Sequence, residues 1–318
     1  MQSIPLIFGV DVAKAELVVA SHGRPGTCQV PNQATSIKAW LRHLPGGSTV
    51  AMEASGRYHQ LLASLAHAAG MRVYVLNAAD VYFYAKALGA RGKTDRVDAQ
   101  VIARYAAEHH EKLRAWVPAP QQYVHIDELL RRRALVVAKR EALRQAFAGL
   151  ADLRTAFNKL DAAFDSMLRA IDVTIQRAIA ADAMLAAAQR RIAQVPGFGP
   201  LGSALLAVLL ARIPFACADA LVAYSGLDPR PRDSGQMRGR RRISKRGPAY
   251  LRKQWYLAGF SASRSKAAKP LYLALRAKGL STTEAFLVLG RKLLRVAYSL
   301  WKSGSDFDVT RLNGAQPA

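Results

Sequence analysis

Leu6-Ile7-Phe8-Gly9-Val10-Asp11-Val12 is a short apolar run with a carboxylate near its end, and after Ala13-Lys14-Ala15 the chain resumes with Glu16-Leu17-Val18-Val19-Ala20-Ser21. Both runs have the length and the β-branched content of strands, and the tight connection predicts that they pair as a hairpin. Working outward, Thr27–Val30 is a candidate third strand, Ser48–Glu53 a buried one and Arg72–Leu76 another. Between them, Ile37–Leu44 has helical spacing, and Tyr58–Ala69 reads as a helix stopped by Gly70. Strands that come first as a meander and then alternate with helices specify a mixed α/β sheet with helices packed on it.

Gln121 to about Arg191 differs in kind: it has no proline, and Gly149 is its single glycine. Leu143, Phe147, Leu150, Leu153, Phe157, Leu160, Phe164, Met167 and Ile171 recur there at steps of three and four. That spacing fits a coiled-coil seam or one face of a long helical hairpin bent at Gly149, and the oligomerising coiled coil is the preferred expectation. Val195-Pro196-Gly197-Phe198-Gly199-Pro200 then breaks the helix. A glycine hairpin between helices can offer backbone N–H groups to a phosphate, although such a loop is also ordinary punctuation. Pro248–Ser261 and Ser281–Trp301 are strongly helical, and Ser281-Thr282-Thr283-Glu284 is a capping box for the last helix.

Composition bounds the function. The 318 residues hold 46 Lys and Arg against 22 Asp and Glu, a formal net charge of +24, with 51% hydrophobic residues. A globular chain this basic calls for a polyanionic partner, nucleic acid before an anionic membrane surface. The longest apolar run, Leu201–Ile213, is too short to span a bilayer, and Met-Gln-Ser-Ile-Pro-Leu-Ile-Phe lacks the basic region of a signal peptide. Cys28 and Cys217 give no disulfide or zinc framework, so a reducing cytoplasm is the expected location. No P-loop, dinucleotide glycine fingerprint or His-Glu-x-x-His spacing occurs, which leaves ATP, NAD and catalytic zinc without support.

The basic residues concentrate between Ser225 and Lys253. Arg230, Arg232, Arg238, Arg240, Arg241, Arg242, Lys245 and Arg246 are opposed within the loop by Asp228 and Asp233 alone, and Gly226, Pro229, Pro231, Gly235, Gly239 and Gly247 forbid a regular helix. Guanidinium forks bind phosphate bidentately, so this loop is a candidate nucleic-acid-binding element. At its centre lies Ser234-Gly235, a hydroxyl with no bulky neighbour on its C-terminal side. It is either a phosphate-bonding serine or a nucleophile, and Ser244 is a second hydroxyl in the same loop.

Four acids stand out in so basic a chain. Asp11 ends the first strand, Glu53 ends a later one, and Asp95 and Asp98 lie in Lys93-Thr94-Asp95-Arg96-Val97-Asp98-Ala99. If a helix begins at Thr94, a spacing of three puts both aspartates on one face. Strand-end carboxylates meeting a helical pair suit a hard divalent cation, and two such ions can stabilise the entering and leaving oxygens of a phosphoryl transfer. Each acid alone could equally pair with Arg57, Arg91, Lys93 or Arg96 at the surface.

Gly9-Val10-Asp11-Val12-Ala13-Lys14, Met52-Glu53-Ala54-Ser55-Gly56 and Lys93–Ala99 together resemble the DEDD segment of insertion sequence 110 family transposases. Ile192–Val195 with Pro196-Gly197-Phe198-Gly199, then Tyr224–Pro229, Ser234-Gly235 and Ile243–Gly247 are similar to that family's C-terminal segment, in the family's order. Piv-type DNA invertases share this architecture. The resemblance implies an α/β RuvC-like, ribonuclease H-type domain over residues 1–118. A helical coiled-coil linker over 119–191 and a mostly α C-terminal transposase domain over 192–318 would follow it. It implies Mg²⁺, with Mn²⁺ as the alternative, on Asp11, Glu53, Asp95 and Asp98, and Ser234 as nucleophile forming a covalent phosphoserine. It also implies donor and target DNA, a structured noncoding bridge RNA as guide, a homo-oligomer (dimer or tetramer) and no membrane. The competing expectation is a RuvC-like metal-dependent nuclease or junction resolvase whose nucleophile is water.

Overall fold

The computed structural model describes residues 6–56, 58–89, 94–230, 242–310 and 312, and the chain divides into two compact units, Met1–Pro118 and Ala119–Ala318. The first is a mixed α/β unit and the second is mostly helical.

In the first unit, β1 (Ile7–Val12), β2 (Glu16–Ser21), β3 (Thr27–Pro31), β4 (Thr49–Glu53) and β5 (Arg72–Leu76) form a sheet in the order β3-β2-β1-β4-β5. The β1–β2 and β2–β3 pairs are antiparallel, whereas β1–β4 and β4–β5 are parallel. Because strand side chains alternate between faces, each strand divides its residues between two cores. Val10, Val12, Val50 and Met52 pack with Ile37 and Leu41 of α1 (Ala34–Arg42) and with Leu62, Ala63 and Ala66 of α2 (His59–Ala68). Ile7 and Ala51 turn the other way, onto Val81 of α3 (Ala78–Ala87) and Val101, Ile102 and Ala106 of α4 (Asp95–His109).

Gly9 is the reason α4 sits so close. A Cβ there would stand 2.2 Å from the backbone nitrogen of Ala103 and 2.3 Å from the carbonyl oxygen of Ala99. Only a residue without a side chain lets a helix backbone rest on the strand at that distance.

The second unit begins with two long antiparallel arms, α5 (Gln121–Ala146) and α6 (Arg154–Ala180). The expected continuous seam is therefore divided. Gly149 adopts φ 84°, a left-handed bend, and Phe147 stacks on Phe157 across the turn with ring centroids 5.6 Å apart. Along the arms, Arg140 bonds Asp161 and Asp165 at 2.6–2.8 Å, and Arg144 reaches Asp161 at 2.7 Å. A single helix carrying the whole repeat is excluded; an intramolecular hairpin forms instead.

The base of the hairpin enters the main core. Tyr123, Ile126 and Leu130 of α5 and Ile175 and Ile179 of α6 are buried there. With them are residues of α7 (Ala183–Ala193), α8 (Pro200–Arg212), α9 (Ala218–Tyr224), α10 (Ala249–Ala262) and α12 (Thr282–Ser303), while α11 (Lys269–Ala277) packs on α12. Asp127, 4% exposed, accepts from Arg131 at 2.8 Å and pairs with Arg212 of α8 at 3.0 Å. The arms and turn beyond this core are bare by comparison: Leu135, Leu150, Leu153, Leu160 and Met167 are between 43% and 58% exposed. α12 starts as read from the sequence, with Ser281 and Glu284 closing a capping box. Among the described residues no helix is long and apolar enough to cross a membrane.

Candidate functional site

In the first unit, parallel pairing places the acids. Val10 is paired with Met52, so the next residues, Asp11 and Glu53, leave neighbouring strands at the same end of the sheet. Both point to the α4 face, the face of Ile7, Gly9 and Ala51. α4 runs antiparallel to β1: Ile102 and Ala106 sit with Ile7, and Ala99 and Ala103 sit on Gly9. Its first turn, with Asp95 and Asp98, therefore comes over the strand end that carries Asp11. Thr94 caps that turn by accepting from the backbone N–H of Val97 at 3.3 Å. Asp95 and Asp98 stand one turn before the sheet-facing Ala99 and Ile102, and Asp98 is half-buried while Asp95 is exposed.

Asp95 opens on a cavity of about 420 Å³ lined also by Val18, Thr27, Gln29, Thr94 and Arg96. Val18 is the strand partner of Asp11 across β1–β2. Asp11, Glu53 and the first turn of α4 thus lie toward one end of one face, with hard oxygen donors that suit a divalent cation, while Asp95 opens over β2 and β3. These acids are not drawn into a ligand cluster: among the described residues no group of three or more His, Cys, Asp or Glu side chains is arranged to hold a metal ion. Arg57, Arg91 and Lys93, the alternative partners of these acids, lie outside the described residues.

In the second unit the structure describes the root of the arginine loop. Pro229–Arg230 and Arg242–Ile243 form a short antiparallel ribbon, β6 and β7, pairing Pro229 with Ile243 and Arg230 with Arg242. The sequence shows no strand pattern at these positions; a two-residue ribbon is too short to leave one. Gly226, at φ 68°, and Gly247 hold the two ends together, since a Cβ on Gly226 would be 2.7 Å from the nitrogen of Gly247. The Lys245 N–H donates to the carbonyl of Gly226 at 3.1 Å, and Lys245 itself takes a positive φ of 57°. Arg252 donates to the carbonyl oxygens of Lys245 and Gly247.

Ser244 is committed to this root. Its hydroxyl donates to the Asp228 carboxylate, and its backbone N–H donates to the Asp228 carbonyl at 2.9 Å. Beneath lies Ser225, fully buried, which donates to the Leu221 carbonyl at 2.9 Å and accepts from the Trp255 indole at 3.0 Å. Sequence reading overlooked Ser225, Trp255 and Arg252, whose only signal was the close pair Gly226 and Gly247. Ser234, with Arg232, Arg238, Arg240 and Arg241, lies outside the described residues; Arg230, Arg242, Lys245 and Arg246 lie within them.

Residues 8–158 match a family profile described as transposase, of DEDD IS110 type, and residues 189–273 match one described as transposase, IS116/IS110/IS902 family. The class is thus a DNA transposase or recombinase, an enzyme. A pilin gene-inverting protein of Moraxella lacunata is 26% identical over 315 residues, covering 95% of this chain and 97% of that one. Its counterpart in Moraxella bovis is also 26% identical over 95% of this chain. A 42 kDa protein of insertion element IS900 from Mycobacterium paratuberculosis is 34% identical over 34% of this chain and 28% of its own length. The chain belongs to the IS110 family of transposases. Thermus thermophilus RuvC aligns over 35% of this chain and 99% of its own at 14% identity and a TM-score of 0.25, too slight a likeness to weigh.

Proposed function

We propose that this enzyme cleaves and rejoins DNA through a covalent phosphoserine at Ser234, assisted by a divalent ion site built from Asp11, Glu53, Asp95 and Asp98. The observation that carries the reading is the Val10–Met52 register, which sends Asp11 and Glu53 from adjoining parallel strands towards the first turn of α4. The strand order β3-β2-β1-β4-β5, with acids at the ends of β1 and β4, supports a ribonuclease H-type, RuvC-like reading of this sheet. Mg²⁺ is the ion of choice, because oxygen donors with retained water suit it. When bound, it supplies charge neutralisation at the reacting phosphate and activation of oxygen nucleophiles.

The chain's own residues do the rest. The Ser234 oxygen forms a bond to phosphorus as the bond from phosphorus to a deoxyribose oxygen breaks, with the serine giving up its proton and the leaving oxygen taking one up. No redox change and no ATP is needed, because the phosphodiester bond energy is held in the serine ester. Arg230, Arg232, Arg238, Arg240, Arg241, Arg242, Lys245 and Arg246 neutralise the charge on the non-bridging oxygens. Ser244 is a positioning residue, its hydroxyl already given to Asp228.

Residues 1–118 carry the acids, 119–191 the helical linker and 192–318 the serine. The exposed apolar residues along the hairpin support self-association as a dimer or tetramer. The net charge of +24 supports binding of donor and target DNA and of a structured noncoding guide RNA, in a cytoplasmic setting. The test is cleavage of supercoiled DNA in the presence of the RNA transcribed from flanking sequence. Asp11→Asn, Glu53→Gln and Asp98→Asn should each abolish cleavage while nucleic-acid binding persists, and EDTA should do the same. Cleavage that survives EDTA would remove the metal site from the account.

A further inference from the structure

Two cations near the loop root are committed to partners. Arg252 is bonded to backbone carbonyls, and Arg295 of α12 pairs with Asp219 of α9 at 2.8 Å. Arg291 lies one turn earlier on α12 and is only partly buried. Its Nε is fully buried with no hydrogen-bond partner.

Its position is fixed by packing. A Cβ on the preceding Gly290 would stand 2.5 Å from the Trp255 carbonyl oxygen, so α12 lies flush on α10 at Trp255, whose indole N–H is bonded to Ser225. The turn of α12 that carries Arg291 is therefore packed beneath the residues that open the loop. The charges felt by Arg291 are Arg295, which opposes its ionisation, and Asp228, which favours it; burial is the largest effect and lowers its pKa. The Asp228 carboxylate meanwhile accepts the hydroxyl of Ser244.

A partly buried guanidinium whose Nε is unbonded, and whose attracting carboxylate, Asp228, is already engaged by Ser244, costs stability, and an anion from outside can complete the pair. A phosphodiester fits the other half: it stays ionised, and its two non-bridging oxygens match a guanidinium fork. We propose that Arg291 is a phosphate-binding residue at the root of the 226–247 loop, holding a phosphodiester of the DNA strand which that loop engages. This rests on the reading of the loop as a DNA-binding element.

The test compares wild type with Arg291→Met and Arg291→Lys. It uses melting temperature, anisotropy with a fluorescent DNA duplex over a KCl series, and the same duplex carrying single neutral methylphosphonates. Arg291→Met should melt at or above the wild-type temperature, because a partly buried guanidinium with an unbonded Nε has been removed. Its affinity should fall roughly tenfold or more, and the slope of log K against log salt should shrink by about one. One methylphosphonate position should weaken the wild type and leave Arg291→Met unchanged. Should Arg291→Met not fold, Arg291→Lys carries the methylphosphonate comparison, with a smaller loss at that same position.

Wild-type affinity and slope in Arg291→Met would overturn the proposal. So would a lower melting temperature with affinity lost equally at every methylphosphonate position, which would mark a purely structural residue. These readouts need binding and no cleavage, so a wild-type protein that binds DNA without cutting it would sink the recombination mechanism separately.

Discussion

Trp255 donates its indole N–H to the Ser225 hydroxyl at 3.0 Å, and both side chains are fully buried. This bond ties the middle of α10 to the residue from which the arginine loop departs. Ser225→Ala would leave a buried donor unsatisfied, at a cost of about 1–3 kcal/mol. Trp255→Phe in the same background should add less than it does alone, because the shared bond is already gone. Thermal unfolding of the two single variants and the double variant checks this; full additivity would contradict it.

Gly9→Ala should be among the most damaging small changes in the first unit. The added methyl meets the backbone of Ala99 and Ala103, which cannot rotate aside. The expected loss is about 3 kcal/mol or more, with α4 pushed off the sheet and strand cleavage lost along with it. Gly23→Ala provides the contrast, since open space surrounds that position and the penalty there comes from its positive φ alone. Equal melting temperatures for Gly9→Ala and wild type would refute the close packing.

How much of this was legible in the sequence depends on the range of the interaction. β2 and β5 occupy the runs their residue pattern marks, and Gly70, Thr94 and Ser281 punctuate helices where local chemistry places them. The hairpin was ambiguous for a physical reason. Two antiparallel arms that each turn one stripe toward the other show the same period as one long helix, so Leu143 to Ile171 could not by itself reveal the bend at Gly149. α3 was missed because its apolar residues, Val81, Tyr82, Phe83 and Tyr84, are consecutive and set no helical period. The individual acids of the candidate site could be picked out, but the adjacency of Asp11 and Glu53 is a matter of strand register, which no local pattern encodes. The bond from Trp255 to Ser225 and the unbonded Nε of Arg291 are likewise products of packing.

Asp127→Ala should destabilise the second unit by about 3–5 kcal/mol, because it leaves the Arg212 guanidinium, 15% exposed, without its ion-pair partner. Chemical denaturation measures the loss. Pairing the change with Arg212→Met should restore much of it, and no recovery in the double variant would show that the ion pair is not the cause.

Acid should loosen the hairpin arms through Asp161. Bonding to Arg140, reinforced by Arg144, holds its carboxyl well below the ordinary carboxylate value of 3.8. A depressed folded pKa contributes stability that is present above the unfolded value and lost as pH falls through the folded one. Protection from hydrogen exchange in α5 and α6 should therefore include the full contribution of the Asp161 contact above about pH 5 and lose it progressively below about pH 4. Arg140→Gln should flatten that acid dependence, and an unchanged profile would show that the contact is not what holds the arms.

The covalent step is the centre of the account, and the peptide carrying Ser234 reports on it most directly. Wild-type protein is incubated with supercoiled DNA, the flanking RNA and Mg²⁺, trapped under denaturing conditions, digested with nuclease and protease, and measured by mass spectrometry. The predicted result is a nucleotide remnant on Ser234, absent from Ser234→Ala and still present in Ser244→Ala. A remnant on Ser244, or strand cleavage that persists in Ser234→Ala with no remnant on any peptide, would contradict the phosphoserine mechanism.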